Sequence, residues 1–337
     1  MATETSRNRC PVTDINVLPE NCIANFLSLT SPPETCRLSL VASTFRSAAE
    51  SDSVWERFLP SDYQDMIARA SEPPVFASKK ELYLSLSDHP LIIDDGTKSF
   101  SLDRRSGKKC FMLSARYLTI IWGDTPEYWR WISLPNESRF TEVAELLHVC
   151  WLEIHGKIST QMLSPDTTYA AYLVFKWAAR VIGFRFEYKP AESWVRLSGS
   201  EGQSRSFHLD TNGRQRRERC VVPRRRVCHR NIIRRRQEVD ALRESGQYPK
   251  ERGDGWLEME LGEYLNKSGE VGELEICLQE VKDGNWKSGL ILQGIEIKPK
   301  ISTPVQNRWV ISEGRQLEKW PHKYPTIKVF NYFGIDK

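Results

Sequence analysis

The sequence predicts a multidomain α+β protein in which a small N-terminal helical domain precedes an antiparallel β-sandwich of jelly-roll-like type. Three observations carry this. Apolar residues recur at helical spacing as far as Leu86 and at every second position from Phe100 onward. The later strand patterns are short and numerous, with no regular helical alternation between them. Tryptophan changes with the period, since only Trp55 precedes residue 120 and the other ten follow it.

The first helix follows Leu18-Pro19-Glu20, where proline occupies a first-turn position and Ile23, Phe26 and Leu27 share one face before Thr30. Ser31-Pro32-Pro33-Glu34 has the capping-box pattern, and Leu38, Val41, Ala42 and Phe45 then recur at i, i+3, i+4 and i+7, which predicts one continuous second helix. Ser53-Val54-Trp55-Glu56 repeats the box, and Trp55 and Phe58 can close a small core. Helices are also expected from Ser61, with Tyr63, Ile67 and Ala70 in register, and over Lys79 to Leu86. No Gly/Ser-rich linker separates the two units, which predicts a fixed relative orientation.

Strand patterns then run through Cys150, Leu152 and Ile154, and through Tyr169, Ala171, Leu173, Phe175 and Trp177. Shared faces are expected for Ile182, Phe184, Phe186 and Tyr188, for Leu257, Met259 and Leu261, for Leu274, Ile276 and Leu278, and for Ile291, Gln293, Ile295 and Ile297. Turn residues at Ser106-Gly107, Lys189-Pro190, Gly253-Asp254-Gly255 and Asp283-Gly284 punctuate them.

At 337 residues the chain has room for two ordinary domains. No segment approaches the ~20 apolar residues of a membrane span, and the first residues lack the apolar run of a signal peptide. A cytoplasmic or nuclear protein is expected, without a membrane partner. The eight cysteines are scattered with no CxxC pair, so neither a zinc ribbon nor a disulfide framework is indicated, and no metal or other cofactor is expected. Cys220, Cys228 and His229 fit no common zinc spacing.

The net charge of +4 hides an asymmetry. Arg214 to Arg236 holds 11 arginines and one glutamate, or +10, and the remainder carries (48 − 11) − (44 − 1) = −6. A solvated loop, a nuclear-localisation signal and a phosphate-binding patch for nucleic acid all fit that composition.

An aromatic cluster, Trp122-Gly-Asp-Thr-Pro-Glu-Tyr128-Trp129-Arg-Trp131, offers flat apolar faces beside hydrogen-bonding groups and points to recognition. Glu258 and Glu260, or Glu273 and Glu275, would share a strand face about 7 Å apart at Cα. Such pairs are ordinary on a solvated face, no GxSxG, HExxH, P-loop or GxGxxG occurs, and no active site is read.

Leu18-Pro19, Ile23, Leu27, Cys36, Leu38, Val41, Phe45-Arg46 and Val54-Trp55 together resemble an F-box. That resemblance implies docking on a Skp-type adaptor of a cullin-RING ubiquitin ligase through Leu18, Pro19, Ile23, Leu27, Leu38 and Val41, some of them exposed in the isolated chain. The family's Val-Ser-Lys reads Val41-Ala42-Ser43 here, so its lysine is absent.

The second unit resembles the phloem protein 2 lectins of plants, the Nictaba-like family. The matching blocks are Ala115-Arg116 to Asp124, Tyr128-Trp129-Arg-Trp131, Val143 to Leu146, Cys150 to Lys157, Tyr169 to Lys176, Asp254 to Glu258 and Trp286 to Gly289. With the F-box in front, the chain resembles an F-box protein of the phloem-protein-2 B type. The resemblance implies sugar contacts at Trp122, Trp129 and Glu273, with indole faces on pyranose C–H groups and a carboxylate on hydroxyls. It also places a lysine-rich, nuclear-signal-like loop where the arginine run lies.

The expected organisation is a tail over 1–17, an F-box over 18–60, a helical connector over 61–99, a lectin domain over 100–300 with an Arg-rich loop over 212–250, and an extension over 301–337. The expected function is that of a non-catalytic substrate-recognition subunit of an SCF-type ubiquitin ligase, whose sandwich binds a glycan or glycoprotein. Alternatives are a nucleic-acid-binding or nuclear protein acting through the arginine loop, or a sandwich that recognises protein rather than sugar.

Overall fold

A computed structural model describes residues 18–184, 189–209 and 248–300. The arginine run Arg214 to Arg236, the N-terminal tail, the C-terminal extension, Phe186 and Tyr188 lie outside the described residues. Among the described residues no helix is long and apolar enough to cross a membrane.

Among the described residues six short helices come first: α1 (Glu20–Ser28), α2 (Pro32–Leu38), α3 (Ser43–Glu50), α4 (Asp52–Phe58), α5 (Tyr63–Ala68) and α6 (Lys79–Asp88). The single helix expected after Ser31 is two. Ala42 is extended (φ −151°, ψ 157°) and serves as N-cap of α3, so the chain turns at residues 39–42 and leaves Leu40 and Val41 outside the core. The capping boxes expected at Ser31 and Ser53 do not form as such, and the N-cap of α4 is Ser51. Ser31 Oγ donates to Glu34 rather than accepting from a backbone N–H. A related arrangement lies at α6 instead, where the N-cap Ser78 accepts from the Glu81 N–H (3.2 Å) and Glu81 accepts from the N–H of Ala77, the residue before the cap (2.8 Å).

Trp55 holds the helices together. It is fully buried, donates its indole N–H to Ala49 O at 2.7 Å, and packs on Phe58 and Tyr83 with ring centroids 5.7 and 5.3 Å away.

The described residues after α6 form two antiparallel sheets and a single 3-10 turn at Thr160–Met162. The strands are β1 (Leu91–Ile93), β2 (Lys98–Leu102), β3 (Lys109–Ser114), β4 (Thr119–Ile120), β5 (Trp129–Ile132), β6 (Val143–Leu146), β7 (Leu152–Ser159), β8 (Thr167–Ile182), β9 (Ala191–Leu197), β10 (Ser204–Phe207), β11 (Lys250–Glu251), β12 (Leu257–Asn266), β13 (Glu273–Glu280) and β14 (Ser288–Pro299). One sheet has the order β1-β2-β3-β14-β8-β12-β11, with β6 also paired to β14 and β5 to β6. The other has the order β10-β9-β13-β7-β4. Their facing apolar rows form the core: Tyr169, Leu173 and Phe175 of β8 and Leu290 and Ile295 of β14 from one sheet, with Ile154 of β7 and Ile276 of β13 from the other.

The face expected for β14 is corrected by a register shift between Leu292 and Gly294. Leu290, Leu292, Ile295 and Ile297 face the core, whereas Ile291 packs outside on Met112, Val143 and Val174, and Gln293 donates to Ser138. A β-carbon on Gly294 would stand 2.0 Å from Leu113 O, so the bulge depends on glycine there. Ile182 and Phe184 do not share a face either, since Ile182 is exposed and Phe184 buried.

The helices are fastened to the sandwich. Their core is continuous with that of the sheets. Tyr83 donates toward Asp103 O (3.2 Å), Lys109 Nζ pairs with Asp62 (2.8 Å), and Ala70 forms an antiparallel bridge with Ile93. At the β2–β3 turn Gly107 has φ 67°, and a β-carbon there would lie 2.5 Å from Phe58 O, the last carbonyl of α4.

On the outer face of the larger sheet Glu296 is buried among cations. Burial opposes its charge, yet Arg252 (2.6 Å), Arg139 (3.4 Å) and Lys298 (3.7 Å) hold its carboxyl below the ordinary 4.5. A folded-state value below the unfolded one gives stability that is complete above about pH 4.5 and lost as pH falls through the folded value. Thermal midpoints measured across that range should fall less steeply for Glu296→Gln, which should also cost about 2 kcal/mol at pH 7.

Candidate functional site

Two surfaces, one on each unit, present groups that the fold leaves available. On the sandwich, the chain leaving β4 makes a tight turn. Gly123 N–H donates to Ile120 O (2.9 Å), Thr125 N–H to Trp122 O (3.0 Å) and Tyr128 N–H to Thr125 O (2.9 Å). Trp122 is held at φ 57°, in the left-handed region that an indole-bearing residue rarely occupies. Backbone strain of this kind, about 1–3 kcal/mol, persists where the surroundings impose it and clusters at ligand sites. The residue is 44% exposed and its ring lies against Tyr128, with centroids 5.4 Å apart.

Beside this turn lies a cleft of about 360 Å³ lined by Arg116, Gly123, Asp124, Pro126, Trp129, Arg130 and Trp131. The Arg116 guanidinium sits 3.7 Å from the Trp131 ring centroid, and Trp131 Nε1 donates to Gly123 O at 3.2 Å. Arg116 and Arg130 are oriented by Glu142 (2.8 Å) and Glu145 (2.6 Å), the latter its cross-strand neighbour between β5 and β6. The cleft therefore joins an aromatic face, two oriented guanidinium groups and one exposed carboxylate. That combination suits a polyhydroxylated ligand with an apolar face.

The three residues singled out for sugar contact have different settings. Trp122 is exposed at the turn. Trp129 is only 2% exposed: it lines the cleft from beneath, and its buried indole N–H meets no acceptor among the described residues. A buried donor left so costs about 1–3 kcal/mol, which a ligand oxygen reaching it would offset. Glu273 is elsewhere. It opens β13 opposite Ser159 of β7, with Lys157 3.7 Å away, whereas the turn at Trp122 joins β7 at Glu153, whose carbonyl accepts from Ile121 N–H. Strand geometry puts about 20 Å between those levels, so Glu273 does not converge with the two tryptophans on one sugar ring. Register decides this, and register is not visible in a pairing of motifs.

The residues that build the cleft with Trp129 are Arg116 and Trp131. Both lie in the motif blocks, but a guanidinium stacked on an indole across the β4–β5 connection leaves no mark in sequence spacing. Of the other tryptophans, Trp256 is buried with its N–H on Glu137 O (2.6 Å), Trp177 packs against the core, and Trp151 is exposed.

The paired carboxylates behave as structural acceptors. Glu258 is bound by Arg252 and Lys298, Glu260 by Arg205 and Lys300, and Glu275 by Lys157 and Arg196. Hydrogen bonding to Lys157 keeps the Glu275 carboxyl below its ordinary value. A general acid needs a displacement in the other direction.

The second surface belongs to the helices. Leu18, Phe26, Leu29, Leu40 and Val41 are exposed, Leu40 and Val41 by 78% and 72%, and Pro19 is exposed with them. Leu38 is half-buried, while Ile23 and Leu27 lie in the core and support the surface from behind. Phe26 and Leu29, on α1 and its C-cap, and Leu40, in the break between α2 and α3, are additions to the expected set. Exposed apolar surface of this extent is the kind that a protein partner can cover.

Comparison with known proteins bears on both surfaces. The Phloem protein 2 family matches residues 108–299, and the F-box domain matches residues 15–57. The chain is 45% identical over 284 residues to F-box protein At2g02240 of Arabidopsis thaliana, covering 84% of this chain and 80% of that one. It is 42% identical over 308 residues to F-box protein PP2-B1 of the same plant, covering 85% and 90%. Among solved structures, TmCBM61 in complex with β-1,4-galactotriose aligns with 54% of this chain and 87% of that one, at 9% identity and a TM-score of 0.24, too weak a likeness to argue from.

Proposed function

Because the chain belongs to the F-box proteins that carry a Phloem protein 2 domain, we propose that it is the substrate-recognition subunit of an SCF-type cullin-RING ubiquitin ligase. The helices dock on a Skp-type adaptor, and the lectin-like sandwich holds a glycan or glycoprotein. The protein supplies recognition, and the chemistry of ubiquitin transfer belongs to its partners in the cytoplasm or nucleus.

The observation that carries this reading is the separation of two available surfaces on one compact unit with a continuous core. The apolar face around Leu40 and Val41 suits a protein partner, and the cleft around Trp131 suits a sugar. A fixed connection between them lets a captured target be held at a constant place relative to the ligase. Trp122 at the turn beside the cleft and Trp131 within it, with Arg116 stacked on one side of its ring, offer the aromatic faces, Arg116, Arg130 and Asp124 meet hydroxyls, and the Trp129 N–H donates from below. Glu273 is too distant to join the same sugar and would touch only an extended glycan.

The test is a glycan array followed by titration of the best ligand. Trp122→Ala and Trp131→Ala should each weaken binding about tenfold, roughly 1.4 kcal/mol, with the fold unchanged. Binding that survives both would remove the site assignment, and a sandwich that binds no glycan would favour recognition of protein instead.

A further inference from the structure

We propose that Glu153, His155 and Cys277 form a binding site for a divalent transition-metal ion of zinc's class on the outer face of the five-stranded sheet. One ligand atom from each, a carboxylate oxygen, a ring nitrogen and the sulfur, lies within 4.8 Å of the others. The site shares no residue with the sugar cleft or the adaptor face.

The strands impose this arrangement. Glu153 and His155 are two apart on β7 and therefore project from one face. Cys277 of β13 is directly opposite His155 in the register. β13 is flanked by β7 and β9, so the backbone carrying the sulfur is fixed on both sides. Cys277 lies far along the chain from the other two, which is why cysteine and histidine spacing gave no sign of a site.

The side chains are also oriented. Glu153 Oε1 stands 2.7 Å from His155 Nε2, and Glu153 Oε2 accepts from Trp151 Nε1 at 2.7 Å. The indole thus acts as the outer hydrogen-bond partner that metal-binding carboxylates commonly have. Cys277 is buried. On its other side it pairs with Trp194 of β9, whose ring is 6.3 Å from that of His155 and is covered by the Arg196 guanidinium at 3.9 Å. These rings screen the sulfur, while Glu153 and His155 are half-buried and leave one side open to solvent.

Nitrogen, sulfur and oxygen together are a zinc-type donor set, with bonds of about 2.0–2.3 Å. Ligand atoms around such an ion stand about 3.3–3.7 Å apart, so small side-chain rotations suffice to close the site. As the metal–sulfur bond forms, the Cys277 S–H bond breaks and its proton passes to solvent. The fourth position faces solvent and is filled by water.

The experiment titrates the reduced full-length protein with Co²⁺ and then displaces it with Zn²⁺. One equivalent should give thiolate-to-cobalt charge-transfer absorption that Zn²⁺ abolishes. Cys277→Ser should lose that absorption although every other cysteine remains. His155→Ala should weaken Co²⁺ binding at least tenfold, and Trp151→Phe about tenfold through Glu153. Folded protein without the absorption, or the same absorption in Cys277→Ser, would overturn the proposal. Should Cys277→Ser fail to fold, His155→Ala and Glu153→Gln decide: wild-type affinity in both would overturn it equally.

Discussion

Leu40→Asp combined with Val41→Asp should reduce binding to a Skp-type adaptor by two orders of magnitude or more while the protein stays folded. Both side chains are largely exposed, because the extended Ala42 turns the chain between α2 and α3. Replacing them removes no core contact, so the fold has no reason to change. In a complex the same positions would be desolvated against an apolar partner. A carboxylate buried there without a counter-charge costs several kcal/mol, and central apolar anchors at interfaces carry about 2–4 kcal/mol each. Titration calorimetry against a purified adaptor reads this directly. Ile23→Asp is an instructive contrast, since Ile23 is buried and its loss should appear as unfolding rather than as clean loss of binding.

Trp55→Ala should destabilise the protein by about 3–5 kcal/mol, lowering the thermal midpoint by roughly 10 °C. The substitution empties a fully buried indole volume and removes the N–H bond to Ala49 O. The damage should spread beyond the helices. Trp55 packs on Phe58 and Tyr83, Phe58 O meets the β2–β3 turn at Gly107, and Tyr83 reaches Asp103 O. Urea unfolding followed by near-ultraviolet circular dichroism should show one cooperative loss. An unchanged midpoint would mean that the helices and the sandwich are not joined as described.

Much of this architecture is written in local patterns. The period change near Phe100 separates helices from strands because 3.6- and 2-residue repeats place apolar side chains on one face of different elements. Trp55 is legible as a core residue from the same logic. What stays hidden depends on events that a repeat cannot record. The break at Ala42 interrupts an apolar stripe that reads as continuous. The bulge before Gly294 moves Ile291 and Gln293 off the core face without changing the alternation in the text of the chain.

The sugar site divides in the same way. The aromatic turn is plain in the sequence, since three tryptophans and a tyrosine around Gly-Asp-Thr-Pro are uncommon. The partition among them is not. Trp122 and Trp129 are seven residues apart, yet one is turned outward by a left-handed backbone and the other faces inward on β5. Glu273 lies on the same sheet as the β4 strand that leads into Trp122, but the β7–β13 register places it near Lys157 and away from the turn. Glu153, His155 and Cys277 come together through that same register, which is a property of strand pairing and not of spacing along the chain.

The central claim is that one molecule joins an adaptor to a glycan, and a single measurement addresses it. A resin carrying the best glycan from the array is exposed to purified adaptor with and without this protein, and the retained adaptor is quantified. The account predicts that adaptor is retained only when the protein is present, and that either Leu40→Asp/Val41→Asp or Trp122→Ala/Trp131→Ala removes the retention. Adaptor that remains on the resin with both pairs of substitutions, or that is never retained although the protein itself binds the glycan, would contradict it.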